Sequence, residues 1–373
     1  MKICLLGNAR SIHCVRWANA LRQLGHDVWL ISLNPPAIHP LDPGVQIEIL
    51  PFRPPLGYYL SFPKAKSIIN KISPDILNTH YASGYGTLSR LVNFYPTLLS
   101  VWGSDVFDVP YQNKLLFNII KKNLTAATRI ASTSRIMKSQ IESIYKPTED
   151  IFITPFGVDL DLFKPTGKKD NSVITIGMVK SQEEKYGPIY LIKAFRIVLD
   201  RLQKEGQNDT AEKLRLLIVG DGPLRKEIQI LIKQLSLDRI TELPGEISHS
   251  IVPQYLNRMD ILCVPSIVRE SFGVSVLEAS ACEVAVIASD IGGLPEVLID
   301  GETGLLAEPR NENVLADRIF QLVSDTKLRT RMGKSGRQFV AKNYDWNENV
   351  QRMDNYYYQI VTRNKRKSGT ISK

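Results

Sequence analysis

Short apolar runs rich in β-branched residues alternate along this chain with longer stretches whose apolar positions recur every three or four residues. That alternation predicts parallel sheets with crossover helices: a strand covered on both faces reads as a continuous apolar run, and the covering helix shows one stripe. Strands are expected over 2–6, 28–32, 75–78, 97–101 and 129–132. Ile12, Val15, Ala18, Leu21 and Leu24 mark a helix over 12–24, with Gly25 as its C-cap. The polar stretch 164–171, which contains Gly and Pro, predicts a linker. A second alternation follows, with strands over 173–177, 214–219, 261–264, 284–288 and 304–307. A last helical stretch over 353–361 is rich in tyrosine. At 373 residues the chain is long for one core and suits two domains. Doubly wound domains of this kind bind ligands at the carboxyl ends of their strands.

Composition narrows the class. A hydrophobic fraction of 43% is that of an ordinary globular protein, and no apolar run approaches the roughly 20 residues of a membrane span. The opening MKICLLG reads as a first strand, not as a secretion signal. Cys4, Cys14, Cys263 and Cys282 form no C-x-x-C pair, which predicts reduced, packed thiols in a cytoplasmic protein. The net charge of +9 is uneven: +6 over 1–165, −2 over 166–362 and +5 over 363–373. Basic character on the first domain and the tail suits an anionic membrane surface or a phosphorylated acceptor. Nucleic acid is not expected as a partner, because no helix-turn-helix, zinc module or aromatic-plus-basic stripe accompanies the charge. For the tail, a solvated end without a partner explains the lysines as well as a membrane does.

The most informative chemistry is the segment ESFGVSVLE, with Glu270 and Glu278 eight residues apart. An apolar run over 261–264 leads through Pro265 and Ser266 into it, and a helical pattern continues from it. The geometry expected is strand, loop, helix N-terminus, with free backbone N–H groups near Phe272, Gly273, Val274 and Ser275. Such a terminus is an anion site. Carboxylates beside it accept hydrogen bonds from hydroxyl groups, so a ligand both phosphorylated and rich in hydroxyls, a nucleotide-sugar, fits the pair.

The whole stretch 265–304 resembles the donor-binding region of retaining glycosyltransferases of family 4. The likeness is close over most of the C-terminal half and looser before it. It implies an α/β, GT-B architecture: two Rossmann-like doubly wound domains facing a central cleft, with a C-terminal helix crossing back to the first domain. The expected parts are an acceptor-binding domain at 1–165, a nucleotide-sugar-binding domain at 166–345, the returning helix at 346–362 and a disordered basic tail at 363–373.

The same resemblance assigns roles. Glu270 would lie beside the reacting sugar carbon and Glu278 on the ribose hydroxyls, with Phe272, Gly273 and Val274 on the donor and backbone near Ile247 at the nucleobase. Lys180 and Lys185 are similar to the family's diphosphate-binding pair, usually Arg followed by Lys; a lysine keeps the charge without the bidentate fork. Departing diphosphate needs such fixed positive charge. In the first domain Gly7 would approach the diphosphate, although the paired glycines of many relatives are missing, and Arg10 and His13 are candidate contacts. His80, Trp102 and Asp105 would face the sugar or the acceptor. In SVWGSD, Trp102 stands where the family often has His, while Gly103 and Asp105 match. Trp cannot accept a proton.

No metal ion and no cofactor are expected, the nucleotide-sugar being a co-substrate. The D-x-D at Asp159 and Asp161 lies in PFGVDLDLFKP, which resembles the family's interdomain segment and reads as a turn. LLIVGDGPLR, over 216–225, reads as cleft-rim architecture, and Gly292-Gly293 as a close backbone approach, either to the ligand or within a turn. The activity implied is retaining, metal-independent transfer of a hexosyl unit to a glycan or lipid-linked acceptor in cell-surface polysaccharide biosynthesis. The implied location is the cytoplasm, with the inner face of the cytoplasmic membrane as a candidate contact for the tail and for the basic amphipathic stretch 114–122. Two other readings stay open: a donor-binding scaffold of a polysaccharide assembly complex, and a GT-B-shaped nucleotide-sugar epimerase.

Overall fold

The computed structural model describes residues 1–36, 39–167 and 172–367, with side chains to 364. It divides into two compact units, one of Met1–Phe156 with the chain from Asn347 onward, the other of Gly157–Trp346.

The first unit is built on seven parallel strands: β1 (Lys2–Leu6), β2 (Asp27–Ser32), β3 (Gln46–Ile49), β4 (Ile76–His80), β5 (Thr97–Val101), β6 (Arg129–Ser132) and β7 (Phe152–Ile153). Their order is β3-β2-β1-β4-β5-β6-β7. β4 and β5 are buried along their whole length, as expected of central strands covered on both faces. The expected strand over 75–78 starts one residue later and runs on to His80. β3 and β7, and β10 (Thr241–Gly245) of the second unit, were not legible: β3 is an edge strand of four residues with polar Gln46 and Glu48, β7 has two residues, and β10 is an edge strand that contains Pro244. The first helix, Ile12–Gln23, buries Cys14, Val15, Ala18 and Leu21, and Gly25 follows it at φ 85°. Ser11 stands at its N-cap position without a side-chain cap hydrogen bond.

The C-terminal helix, Trp346–Lys367, packs into this first unit. Tyr357 is fully buried and accepts a 2.5 Å hydrogen bond from the Asn78 amide on β4. Asp354 lies 2.8 Å from His26. The helix continues past 362, so residues 363–367 of the expected disordered tail are helical, and Arg363 pairs with Glu149 at 2.9 Å. Residues 368–373 lie outside the described residues.

The stretch 114–122 was expected as a membrane-surface candidate. In the helix Lys114–Ala126, Ile120 and Leu124 enter the core beside Leu99, Ile130 and Met137, so the apolar stripe covers its own sheet; Leu115 remains outside.

The second unit has six parallel strands: β8 (Ile174–Val179), β9 (Leu214–Val219), β10 (Thr241–Gly245), β11 (Ile261–Val264), β12 (Ala285–Ser289) and β13 (Leu305–Ala307). Their order is β10-β9-β8-β11-β12-β13. From β8 the chain moves to β9 and β10 on one side; from β11 it moves to β12 and β13 on the other. The topological switch point, where open α/β sheets bind ligands, therefore lies between β8 and β11. The helix Pro188–Lys204 sends Leu191, Phe195, Val198 and Leu202 into the core.

The division falls at Phe156/Gly157, nine residues before the expected 165/166. The reason is local packing: Phe163 is buried in the second unit, the Lys164 carbonyl accepts from the Asn257 amide, and the Thr166 N–H donates to Asn257. Of the expected linker, 164–167 is thus held by the second unit, and 168–171 lie outside the described residues.

Candidate functional site

The two strands that flank the switch point of the second unit each deliver one charged side chain. Lys180 follows β8 directly, and Glu270 lies on the loop after β11. The Lys180 ammonium donates a 2.8 Å hydrogen bond to Glu270 Oε2, while the Ser266 hydroxyl donates to the other carboxylate oxygen. Burial opposes the Lys180 charge, but the adjacent Glu270 carboxylate outweighs it and holds its pKa above that of ordinary lysine. The ammonium also sits 4.7 Å from the Tyr186 ring centroid.

Lys185 shares that ring at 4.9 Å, is exposed, and pairs with Glu183 at 2.9 Å. The Glu183 hydrogen bond raises its pKa. The structure thus brings Lys180 to Glu270 and leaves Lys185 on the rim, over the same aromatic ring.

Backbone packing explains why these loops hold their places. Gly292 has φ 61°, and a Cβ there would stand 2.4 Å from the Glu270 carbonyl oxygen. Gly293 N–H donates to that same carbonyl at 2.7 Å. The glycine pair therefore braces the Glu270 loop. On the other side, a Cβ at Gly187 would meet the Pro265 carbonyl at 2.0 Å, and Ile267 N–H donates to the Lys185 carbonyl at 2.9 Å. Gln182 is fully buried; its amide donates to Gly220 O at 2.7 Å, and its carbonyl oxygen has no partner among the described residues. The motif over 216–225 thus supports the Lys180 loop.

The helix Val274–Ala281 starts directly after Gly273. Phe272 is buried with its ring 5.7 Å from that of Tyr344, so its backbone, not its side chain, is what this loop offers a ligand. The Ser275 hydroxyl in the first turn is buried and has no hydrogen-bond partner among the described residues. A helix N-terminus with an unsatisfied hydroxyl in its first turn suits an anion. Glu278, one turn on, is nearly buried and accepts a 2.8 Å hydrogen bond from His249, whose ring lies 5.4 Å from Phe163. Ile247 is half-buried between Gly245, at the end of β10, and His249.

His249, Gln182, Ser266 and Tyr186 did not emerge from the sequence. His249 is 29 positions from its carboxylate, and no spacing marks it. Ser266 is four residues before Glu270 in a loop, where spacing carries no facing rule as it does on a helix.

In the first unit the switch point lies between β1 and β4, and Gly7 and His80 meet there. A Cβ at Gly7 would stand 3.3 Å from His80 Cβ and 2.8 Å from Cys14 Sγ. His80 is buried; burial, with His13 nearby, lowers its pKa to about 3, so it is neutral. Its ring lies 4.4 Å from Trp102, and His13 stacks on Phe156 at 4.0 Å. Arg10 is exposed. Trp102 is half-exposed at the end of this aromatic group.

Asp105 lies beneath. It is fully buried and accepts 2.7 Å hydrogen bonds from the N–H groups of Ala82 and Gly103. Burial raises its pKa to about 6 against the pull of those amides. Its carboxylate is thereby used in shaping the loop that carries Trp102.

Asp159 accepts from the N–H groups of Asp161 and Leu162 at 3.0 Å, an Asx turn. All four cysteines are buried and none is joined to another by a disulfide, and burial raises the Cys14 thiol to about 12.

Known proteins resemble this chain along its length. It is 28% identical over 298 residues to an uncharacterized glycosyltransferase of Methanocaldococcus jannaschii, covering 79% of this chain and 78% of that one. It is 28% identical over 314 residues to the N-acetyl-alpha-D-glucosaminyl L-malate synthase of Bacillus anthracis, covering 80% and 78%. Sucrose-phosphate synthase from Thermosynechococcus elongatus superposes with a TM-score of 0.81 over 97% of this chain and 99% of that one, at 21% identity. That likeness gives the fold as GT-B. The model of the glycosyl transferases group 1 matches residues 161–339 and that of the glycosyl transferase 4-like proteins residues 2–134, and the chain belongs to this family of glycosyltransferases.

Proposed function

We propose that this glycosyltransferase is a retaining, metal-independent enzyme that moves a hexosyl unit from a nucleotide-sugar to a glycan or lipid-linked acceptor in cell-surface polysaccharide biosynthesis. The observation that carries the reading is the Lys180–Glu270 pair at the switch point of the second sheet, beside the helix start with the unsatisfied Ser275 hydroxyl. The helix N–H groups and Ser275 receive one phosphate, and Lys180 and Lys185 supply positive charge where charge grows as the sugar–phosphate bond breaks. The ammonium of Lys180 is kept charged by Glu270, so this stabilisation needs no divalent ion. Glu270 turns its remaining acceptor capacity to a sugar hydroxyl, and Glu278 to the ribose, with His249 fixing the carboxylate.

In the first unit, Trp102 offers a ring for a sugar to stack on. In this reading the departing phosphate oxygen itself takes the acceptor's proton. The bond from the anomeric carbon to phosphate breaks as the bond to the acceptor oxygen forms on the same face. Of the described carboxylates of this site, Glu278 is engaged by His249 and Glu183 by Lys185, which leaves Glu270 alone beside Lys180 and gives little support to epimerase chemistry; the retained Lys180–Glu270 pair argues against a mere scaffold.

The experiment is a thermal-shift screen of UDP-, GDP-, ADP- and dTDP-sugars with and without EDTA, paired with transfer assays of Glu270→Ala. One nucleotide class should raise the Tm in the presence of EDTA. Glu270→Ala should lose about 10²-fold or more in transfer, the scale of one lost electrostatic contact in a dry site, while retaining a cooperative melt. A shift that disappears with EDTA removes metal independence, and near-normal turnover of the variant removes the role of Glu270.

A further inference from the structure

The segment that follows β3 exposes apolar side chains that its own fold does not require. The short helix Gly57–Leu60 is anchored from within: Gly57 is tucked against the Phe52 carbonyl and the Leu33 side chain, and Tyr58 turns inward to meet Tyr85 at 5.2 Å. The next helix, Phe62–Ile72, buries Ala65, Ile68, Ile69 and Ile72. With these anchors satisfied, Phe52, Leu56, Tyr59, Leu60 and Phe62 remain outside; Leu56 is 67% and Leu60 54% exposed. Five large apolar side chains within eleven residues, each about half exposed, leave roughly 400 Å² between them in water, within the range where apolar surface is often functional.

The charge around them has one sign. Arg53, Lys64, Lys66 and Lys71 are exposed in the same segment, and no acidic residue occurs between Glu48 and Asp75. Among the described residues no helix is long and apolar enough to cross a membrane. Leucines and aromatic rings flanked by lysines, on a surface that does not insert across the bilayer, match the chemistry of a lipid interface with anionic headgroups. A protein partner would need acids to meet four cations; an anionic bilayer offers both the charge and a medium for the leucines.

We infer that residues 52–66 form a docking surface for an anionic membrane, with Leu56 and Leu60 entering the headgroup–acyl boundary and Arg53, Lys64 and Lys66 contacting the headgroups. The surface goes beyond the transfer reading and is independent of it: binding to vesicles is measured without donor, and loss of one leaves the other standing.

The test is co-sedimentation of the full chain with vesicles of phosphatidylcholine alone or mixed with phosphatidylglycerol, across a salt series. The wild type should bind the anionic vesicles, weaken with salt and ignore the neutral ones. Leu56→Asp/Leu60→Asp should bind at least about tenfold more weakly, and Lys64→Ala/Lys66→Ala about fivefold per lysine removed, the effect of one cation near an anionic surface. Because all four side chains are exposed, both variants should keep the wild-type Tm and the wild-type shift with a donor. Equal binding by wild type and the leucine variant, or no binding to either vesicle, overturns the proposal. So does a wild-type dimer that the leucine variant converts to monomer without vesicle binding, which would assign the surface to a second copy of the chain.

Discussion

Lys180 and Glu270 are held at 2.8 Å by different strands, and neither is free in solvent. Removing either leaves the other partly buried and uncompensated, which is why a neutral variant at one position disturbs more than a surface pair would. Asp105 shows the opposite balance. Its carboxyl is buried without a cation, and three amide N–H donors fall short of offsetting the lost hydration, so its pKa rises to about 6. A carboxyl whose pKa is raised on folding adds stability below its unfolded value, near 4, and that stability is lost as pH rises through 6. Asp105→Asn does not titrate. The Tm advantage of wild type over this variant should therefore shrink between pH 4 and pH 7, by an amount equivalent to at most about 3 kcal/mol. Melting curves across that range check it; a constant difference would mean that Asp105 is ionised throughout.

At the scale of elements, the site is a property of loops at strand ends, kept in register by glycines. Gly292 occupies the left-handed region against the Glu270 backbone. In Gly292→Ala the new methyl strains its own backbone and forces the Glu270 loop outward. The expected cost is roughly 1–3 kcal/mol of stability, and a displacement near 1 Å should reduce transfer by about 10²-fold. Calorimetry and steady-state assays separate the two effects. Normal activity with a lowered Tm would show that the loop regains its place without the glycine.

At the scale of the whole molecule, the two units differ in how the chain makes them. Residues 157–346 form an uninterrupted unit, whereas the first unit needs the chain from Asn347 onward, including the buried Met353, Tyr357, Ile360 and Val361. At about 1.5–3 kcal/mol for each such buried side chain, their loss exceeds the margin of an ordinary domain. Expressed alone, 157–346 should melt cooperatively, and 1–156 should not unless the segment 347–367 is supplied by a short linker. Circular dichroism melts of the three pieces decide the matter. A cooperative melt of 1–156 by itself would show that the returning helix is dispensable.

The sequence by itself determined most of the alternation of strands and helices and the two-unit architecture, and it singled out Glu270 and Glu278 by spacing, and Lys180 by resemblance, as candidates for the chemistry. Those features rest on local periodicity and on motif residues contiguous in the chain. The edge strands β3, β7 and β10 and the end of the last helix were not legible: β3 and β10 are short and mix polar residues or proline with apolar ones, and β7 has only two residues. Only the tertiary structure decided which side chains meet. The 90 residues separating Lys180 from Glu270, and the 279 separating Asn78 from Tyr357, are closed by strand order and helix packing. The same is true of His249 on Glu278, of the Gly292 brace, and of the burial that turns Phe272 and Asp105 inward. Exposure is likewise a tertiary fact. The amphipathic pattern over 114–122 looked suited to a membrane and packs on its own sheet, while the apolar residues of 52–62, marked by no periodicity, are left outside because Gly57 and Tyr58 fill the space beneath them.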